Sequence, residues 1–217
     1  MLTIIFTLLA YLSCVAGYWN STTRIGMVLY PKFEQLDVVG PHTIFSFAKV
    51  FLMAEKRGLV RSRIGTQWQV DHDFQNHPEF DVLFVPGGLV DDELANPAIL
   101  EFIETQAKKA KVVLTVCTGS VLLAKTGLLD GSRATTNKMA WKKFTPQFPD
   151  VNWVKHARWV QDGKYITSSG VSAGTDMAAY FVKKYFGEQT LNNSLKVAEY
   201  IWNSNPDYDP FSGSADE

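Results

Sequence analysis

Cys117 stands where an apolar run at 111–116 (KVVLTV) gives way to a helical pattern, a place where a thiol can act as a nucleophile. The first turn of a helix offers unpaired N–H groups and the positive end of the helix dipole, and both favour a thiolate over a thiol. A strand that turns directly into a helix also lifts the side chain between them into a sharp, exposed elbow. The chemistry implied is attack on a small electron-poor carbon. The competing reading makes Cys117 a small buried apolar residue, the common fate of a free cysteine; Thr118 and Gly119 directly after it favour the elbow. A second loop, Pro86-Gly87-Gly88, follows the apolar run 81–85 (DVLFV), and its paired glycines let backbone N–H groups face a ligand without side-chain obstruction. Alone, that loop is equally an ordinary tight turn. His42, His72, His77 and His156 are scattered, with no pair at the close spacing of a metal site, and His156 beside Lys155 and Arg158 reads as structural or surface.

The elements that must position these groups alternate along the chain. Strands are expected at 24–30, 51–54, 61–70, 81–85 and 111–116, and the last two are apolar enough to be covered on both faces. Helices are expected at 41–50, where Pro41 suits a first turn, at 97–110, where Ile99, Leu100, Ile103 and Ala107 fall at helical spacing, and at 121–126 before Gly127. A short helix near 138–144, a hairpin-like pair at 151–159 and 164–167 around Asp162-Gly163, and helices from about Ala173 and Glu188 complete the body. Strands and helices alternating at this spacing predict an α/β domain with a mainly parallel sheet and helices on both faces. Ligands of such sheets bind beyond the carboxyl ends of the strands, where Gly87-Gly88 and Cys117 lie.

A chain of 217 residues that is 46% hydrophobic and 20% charged has the composition of one folded domain. A net charge of -1 supplies no cationic footprint, so nucleic acid is not an expected partner and a small uncharged molecule is. Two cysteines, Cys14 and Cys117, are too few for a disulfide scaffold. The apolar run 4–12 (IIFTLLAYL) followed by small residues predicts a secretory signal over 1–17, cut after Ala16 or Gly17. It is shorter than the about 20 residues a membrane-spanning helix needs, so no stable membrane association is expected. The alternative is a cytoplasmic protein with an apolar extension, because Met1-Leu2-Thr3 carries no basic residue. Cleavage would remove Cys14 and leave Cys117 as a lone thiol in an oxidising space. Asn20-Ser21-Thr22 and Asn192-Asn193-Ser194 are sequons that matter only on a eukaryotic secretory route. The domain is placed at 24–204 and the acidic end, 205–217, is expected to be a frayed tail.

Segments 33–41 (FEQLDVVGP), 81–88 (DVLFVPGG), 116–120 (VCTGS), 126–131 (TGLLDG) with 133–136 (RATT), and 169–176 (SGVSAGTD) together resemble the DJ-1/PfpI superfamily. The resemblance is strongest to its isonitrile hydratase and AraC-like class I glutamine amidotransferase-like branch, and it spans 24 to about 199. It implies a flavodoxin-like (DJ-1/PfpI) sandwich, a homodimer, no metal and no organic cofactor. Residue by residue, it makes Cys117 the elbow nucleophile, Asp37 the acid beside it and Thr118 the residue after the nucleophile. It also pairs the N–H of Thr118 with that of Gly88 as an oxyanion hole. Without the resemblance, Asp37 reads as a helix-capping carboxylate. Two departures stand out: protease-like members place His where Thr118 stands, and AraC-like relatives continue the ATT segment with His where this chain has Asn137. A Cys-His peptidase is therefore disfavoured. The implied activity is hydration of a small isonitrile to an N-substituted formamide, a lyase reaction. The alternatives are a cysteine enzyme acting on another electrophile such as a glyoxal, or a non-catalytic ligand-binding or redox-sensing domain. A transcription factor is not expected, because no helix-turn-helix pair follows the last helix.

Overall fold

The computed structural model describes residues 19–216, so the apolar run, the expected cleavage site and Cys14 lie outside the described residues. Seven strands form the main sheet: β1 (Arg24–Val28), β2 (Lys49–Ala54), β5 (His72–Asp73), β6 (Val82–Val85), β7 (Val112–Thr115), β10 (Trp159–Asp162) and β11 (Tyr165–Ser168). Their spatial order is β10-β11-β7-β6-β1-β2-β5, parallel throughout except for the β10–β11 hairpin. β6 and β7 are buried at every position, as their unbroken apolar sequence requires of strands covered on both faces. The long helices are α1 (Gln35–Ile44), α2 (Pro97–Lys109), α5 (Ala173–Phe186) and α6 (Glu188–Ala198); α3 (Gly119–Lys125) and α4 (Trp141–Phe144) are short. α1 packs with α5 and α6, and α2 packs with α3. Two small sheets pair β3 (Gly58–Arg61) with β4 (Gln67–Val70) and β8 (Arg133–Ala134) with β9 (Asn152–Trp153).

Several boundaries differ from the expectation, each for a local reason. The helix expected at 41–50 is α1, and Pro41 lies inside it rather than at its start. Proline in a helix interior forfeits one backbone bond at a cost of about 3 kcal/mol; burial of Val38, Pro41 and Ile44 on one face offsets it. The shift matters to the site because it puts Asp37 in the first turn of α1. The single strand expected at 61–70 is a hairpin. Its turn is closed by the Ser62 N–H donating to Thr66 O at 2.8 Å, with Gly65 at φ 96. The hairpin around Gly163 is confined to β10 and β11, whereas Asn152 and Trp153 pair with β8 instead.

The structure also packs more chain than 24–204. Trp19 is buried against Phe181, Tyr185 and Phe186, with ring centroids 5.1 to 5.7 Å apart. The tail is not frayed. The Arg158 N–H donates to Pro206 O at 2.7 Å, Ser169 Oγ donates to Asp209 Oδ2 at 2.6 Å, and Ala215 is buried. Asp176 accepts from the Tyr200 hydroxyl at 2.9 Å and the Asn203 N–H at 3.0 Å while ion-pairing with Arg158. No helix among the described residues is long and apolar enough to cross a membrane.

Candidate active site

β7 ends at Thr115 and α3 begins at Gly119, so Cys117 occupies the turn between them with φ 57. A non-glycine residue held there costs about 1–3 kcal/mol and persists only where its surroundings enforce it. Here both backbone groups are pinned. The Cys117 N–H donates to Ser169 O at 2.9 Å, and its carbonyl accepts from Thr136 Oγ1 and Ser120 Oγ, both at 3.0 Å. Two glycines make room for the turn. A Cβ on Gly119 would lie 2.2 Å from Val85 O, and one on Gly87 would lie 2.7 Å from Cys117 Cβ.

Asp37 reaches the same place from α1 and is completely buried. Its Oδ2 accepts the Gly87 N–H at 2.8 Å, whereas Oδ1 has no hydrogen-bond partner. Burial lifts the carboxyl well above the ordinary aspartate range; the Gly87 N–H works against that, Glu34 adds to it and Arg63 opposes it. The Cys117 thiol is also pushed far up, first by burial and then by Asp37. The Thr118 N–H, the Asn137 side chain and the Thr118 hydroxyl pull in the opposite direction and are outweighed. This corrects the expectation of a thiol acidified by the helix. α3 is only seven residues long, and its dipole does not compensate for removing the sulfur from water. Burial thus pushes both groups toward their neutral forms. Tyr30 backs them with a buried hydroxyl that donates to Pro86 O at 2.8 Å, its phenol pushed up by burial.

Gly88 and Thr118 are adjacent, but not as an open pair of N–H donors. The Gly88 N–H donates to Thr118 Oγ1 at 2.9 Å, and that hydroxyl donates back to Gly88 O at 2.9 Å. The Thr118 N–H faces the sulfur. An oxyanion at this site would have to displace the threonine hydroxyl from Gly88.

Cys117, Thr118, Gly88 and Asn137 line a cavity of about 410 Å³ with apolar walls that include Leu89, Val90 and Phe144. Glu34 with Arg63, at 2.7 Å, and Asp91 with Lys143, at 2.5 Å, place two neutralised ion pairs on its border. Asp37 lies beneath the lining rather than in it. Among the described residues that line the cavity there is no histidine. His77 lies within 3.3 Å of Gln106, and His156 is exposed. Asn137 is a site residue that sequence reasoning noticed only as a departure. Its Oδ1 accepts the Ala140 N–H at 3.2 Å, which turns the amide donor toward Cys117. Glu34 and Arg63 were missed, and the one available signal was the placement of Glu34 three residues before Asp37. A larger groove of about 760 Å³, bordered by Arg57, Asp73, Phe74 and Phe102, shares no residue with the Cys117 cavity and has no cysteine in its described lining. Among the described residues no cluster of three or more His, Cys, Asp or Glu is placed to hold a metal.

Known proteins share both the fold and the sequence. The chain is 35% identical over 201 residues to isonitrile hydratase from Pseudomonas putida, covering 89% of this chain and 83% of that one. A deglycase from Pyrococcus abyssi is 28% identical over 156 residues, covering 67% of this chain and 89% of that one. The crystal structure of a ThiJ/PfpI family protein from Pseudomonas syringae superposes with a TM-score of 0.76 at 30% identity, covering 88% of this chain and 79% of that one. The model of the DJ-1/PfpI family matches residues 23–184, which include every residue of the site, and the chain belongs to that family.

Proposed function

We propose that the protein hydrates a small isonitrile to an N-substituted formamide. The observation that carries the reading is a completely buried Asp37, its carboxyl pushed toward the protonated form, beneath Cys117 and a cavity whose described lining contains no histidine base. Peptide and ester hydrolysis by a cysteine calls for a base to deprotonate the thiol. Isonitrile hydration instead requires an acid, because the terminal carbon gains a proton as sulfur adds to it. Cys117 Sγ attacks the terminal carbon as Asp37 gives its proton to that carbon and takes the thiol proton on its other oxygen, so a thioimidate (N=CH–S) forms and Asp37 remains an acid. Water then adds to the thioimidate carbon, Asp37 passing its proton to nitrogen and accepting one from the water. Collapse of the adduct breaks the C–S bond, the hydroxyl proton passes through Asp37 to Sγ to restore the thiol, and the formamide leaves. The Thr118 hydroxyl, which lines the cavity, orients the water once it is released from Gly88. The steps use no metal and no organic cofactor.

A second reading, action on a glyoxal-type carbonyl, draws support from the relative named as a deglycase. It would need the Gly88 N–H freed for the oxyanion. In either case the partner is a small molecule, the assembly is a homodimer, and the leader directs the chain to a secretory route. N-terminal sequencing of the protein from its host checks the last point, since an intact Met1 excludes cleavage. Purified protein offered p-tolyl and cyclohexyl isocyanide tests the activity directly: turnover is expected for wild type and lost in Cys117→Ala. Undiminished turnover by that variant overturns the mechanism, and turnover of methylglyoxal alone moves the assignment to the second reading.

A further inference from the structure

The C-terminal segment builds one wall of a second cavity, of about 270 Å³, lined among others by Met139, Val171, Ala173, Phe211 and Ser214. Asn137, Met139 and Val171 line both this cavity and the Cys117 cavity, so the two meet along one ridge. Met139 on that ridge is 77% exposed and Phe211 on the tail is 59% exposed, both large apolar side chains turned to solvent. The charges that border the second cavity are already satisfied. Lys138 meets Asp209 at 3.3 Å and donates to Thr135 Oγ1 at 2.8 Å, while Arg158 pairs with Asp176 at 2.5 Å. What the compartment offers a ligand is therefore apolar contact from Met139, Val171 and Phe211, beside a reacting group that lies across the ridge. Its described lining contains no cysteine, and the Ser169 hydroxyl there is committed to Asp209, which suits it to holding a group rather than transforming one.

We infer that this tail-built compartment receives the substituent of the substrate while the electrophilic carbon sits at Cys117, and that Met139 and Phe211 set specificity for an uncharged aromatic or branched alkyl substituent. A charged substituent finds no unpaired counter-ion there, since Lys138 and Arg158 are committed to Asp209 and Asp176. The thioether of Met139 can adapt to groups of different shape as they cross the ridge. The inference rests on the reading of Cys117 as the reacting thiol and not on which electrophile it attacks.

The test uses alkylation of Cys117 in the full chain, followed on its own peptide by mass spectrometry. Iodoacetamide is compared with N-phenethyl-iodoacetamide, which carries an aromatic arm, and the readout is the ratio of their rates. In wild type the arm-bearing reagent is expected to saturate with concentration. In Phe211→Ala the ratio is expected to fall by roughly tenfold, the effect of removing several contacting apolar carbons. Ser214→Trp, which fills the compartment from the tail, should lower the ratio by a similar factor and covers the case in which Phe211→Ala loosens the tail. The same ratio in wild type and both variants overturns the inference. Because alkylation does not depend on hydration, a shifted ratio without isonitrile turnover upholds the compartment and removes the proposed function. Turnover with an unmoved ratio does the reverse.

Discussion

Replacing Asp37 with Asn preserves the shape of the side chain and an oxygen for the Gly87 N–H, and removes only the acid. The consequence for stability follows from burial. The carboxyl sits well above its ordinary range in the folded protein, so the native state keeps a proton that the unfolded chain releases near pH 3.9. A group raised in this way contributes stability that is fully present below the unfolded value and is lost as pH rises toward the folded one. Each pH unit between the two values removes about 1.4 kcal/mol, or roughly 3–6 °C in Tm for a domain of this size. Asparagine carries no such penalty. Asp37→Asn should therefore melt above wild type at pH 8, and the two curves should converge as pH falls to 4. Turnover must move the other way, because losing a positioned acid costs about 10²–10⁴ in rate. Thermal melts from pH 4 to 8, run alongside isonitrile turnover, read both effects. A variant that melts below wild type at pH 8 would refute the burial argument, and one that turns over at the wild-type rate would remove Asp37 from the chemistry.

Cys117 carries a related signature: with its thiol pushed up by burial and Asp37, the wild type should lose stability as pH rises above the ordinary thiol value of about 8.5, and Cys117→Ala should lack that slope in urea titrations. Asp176→Ala strands a buried Arg158 and releases Tyr200 and Asn203, so urea unfolding should show a loss of about 3–5 kcal/mol. Limited proteolysis should then cut first between 199 and 209; an unchanged cleavage pattern would mean that Asp176 does not hold the tail. If the chain is expressed through a eukaryotic secretory route, the glycan should be found at Asn20, which is exposed in a turn. It should be absent from Asn192, which lies in α6 with Ser194 of its sequon buried. Peptide mass spectrometry after glycosidase treatment distinguishes the two.

The parts of the site that could be read from sequence are those fixed by local backbone demands. The elbow at Cys117 follows from an apolar strand meeting a helix, and the Gly87 approach follows from a glycine pair at the end of a buried strand. Asp37 was found through resemblance, since a carboxylate near a proline has a commonplace helical explanation and its true position needed the start of α1, which Pro41 disguised. The acidity of the Cys117 thiol was misjudged because a helix dipole is a local inference, whereas burial is imposed by segments far away in sequence, among them those that bring Asp37 and Ser169 to it. Asn137 was hidden for a similar reason: nothing near it in sequence tells which way its amide points until Ala140 takes the oxygen. The tail was misread from composition. Asp209 and the end of the chain look like a solvated acidic stretch, yet Lys138, Arg158 and Ser169 hold them from segments far away in sequence.

The seat of Trp19 bears on how this protein can be processed. Its indole closes a ring cluster on α5, with Phe181, Tyr185 and Phe186 around it and the Lys111 ammonium 5.9 Å from the ring. A peptidase acting after Ala16 or Gly17 leaves this plug in its socket, and one acting even a few residues later pulls it out, uncovering three aromatic rings that a hydrated surface tolerates poorly. Trp19 thus marks the point at which removal of chain from the amino end begins to disturb the described fold, and the environment of that one indole reports it.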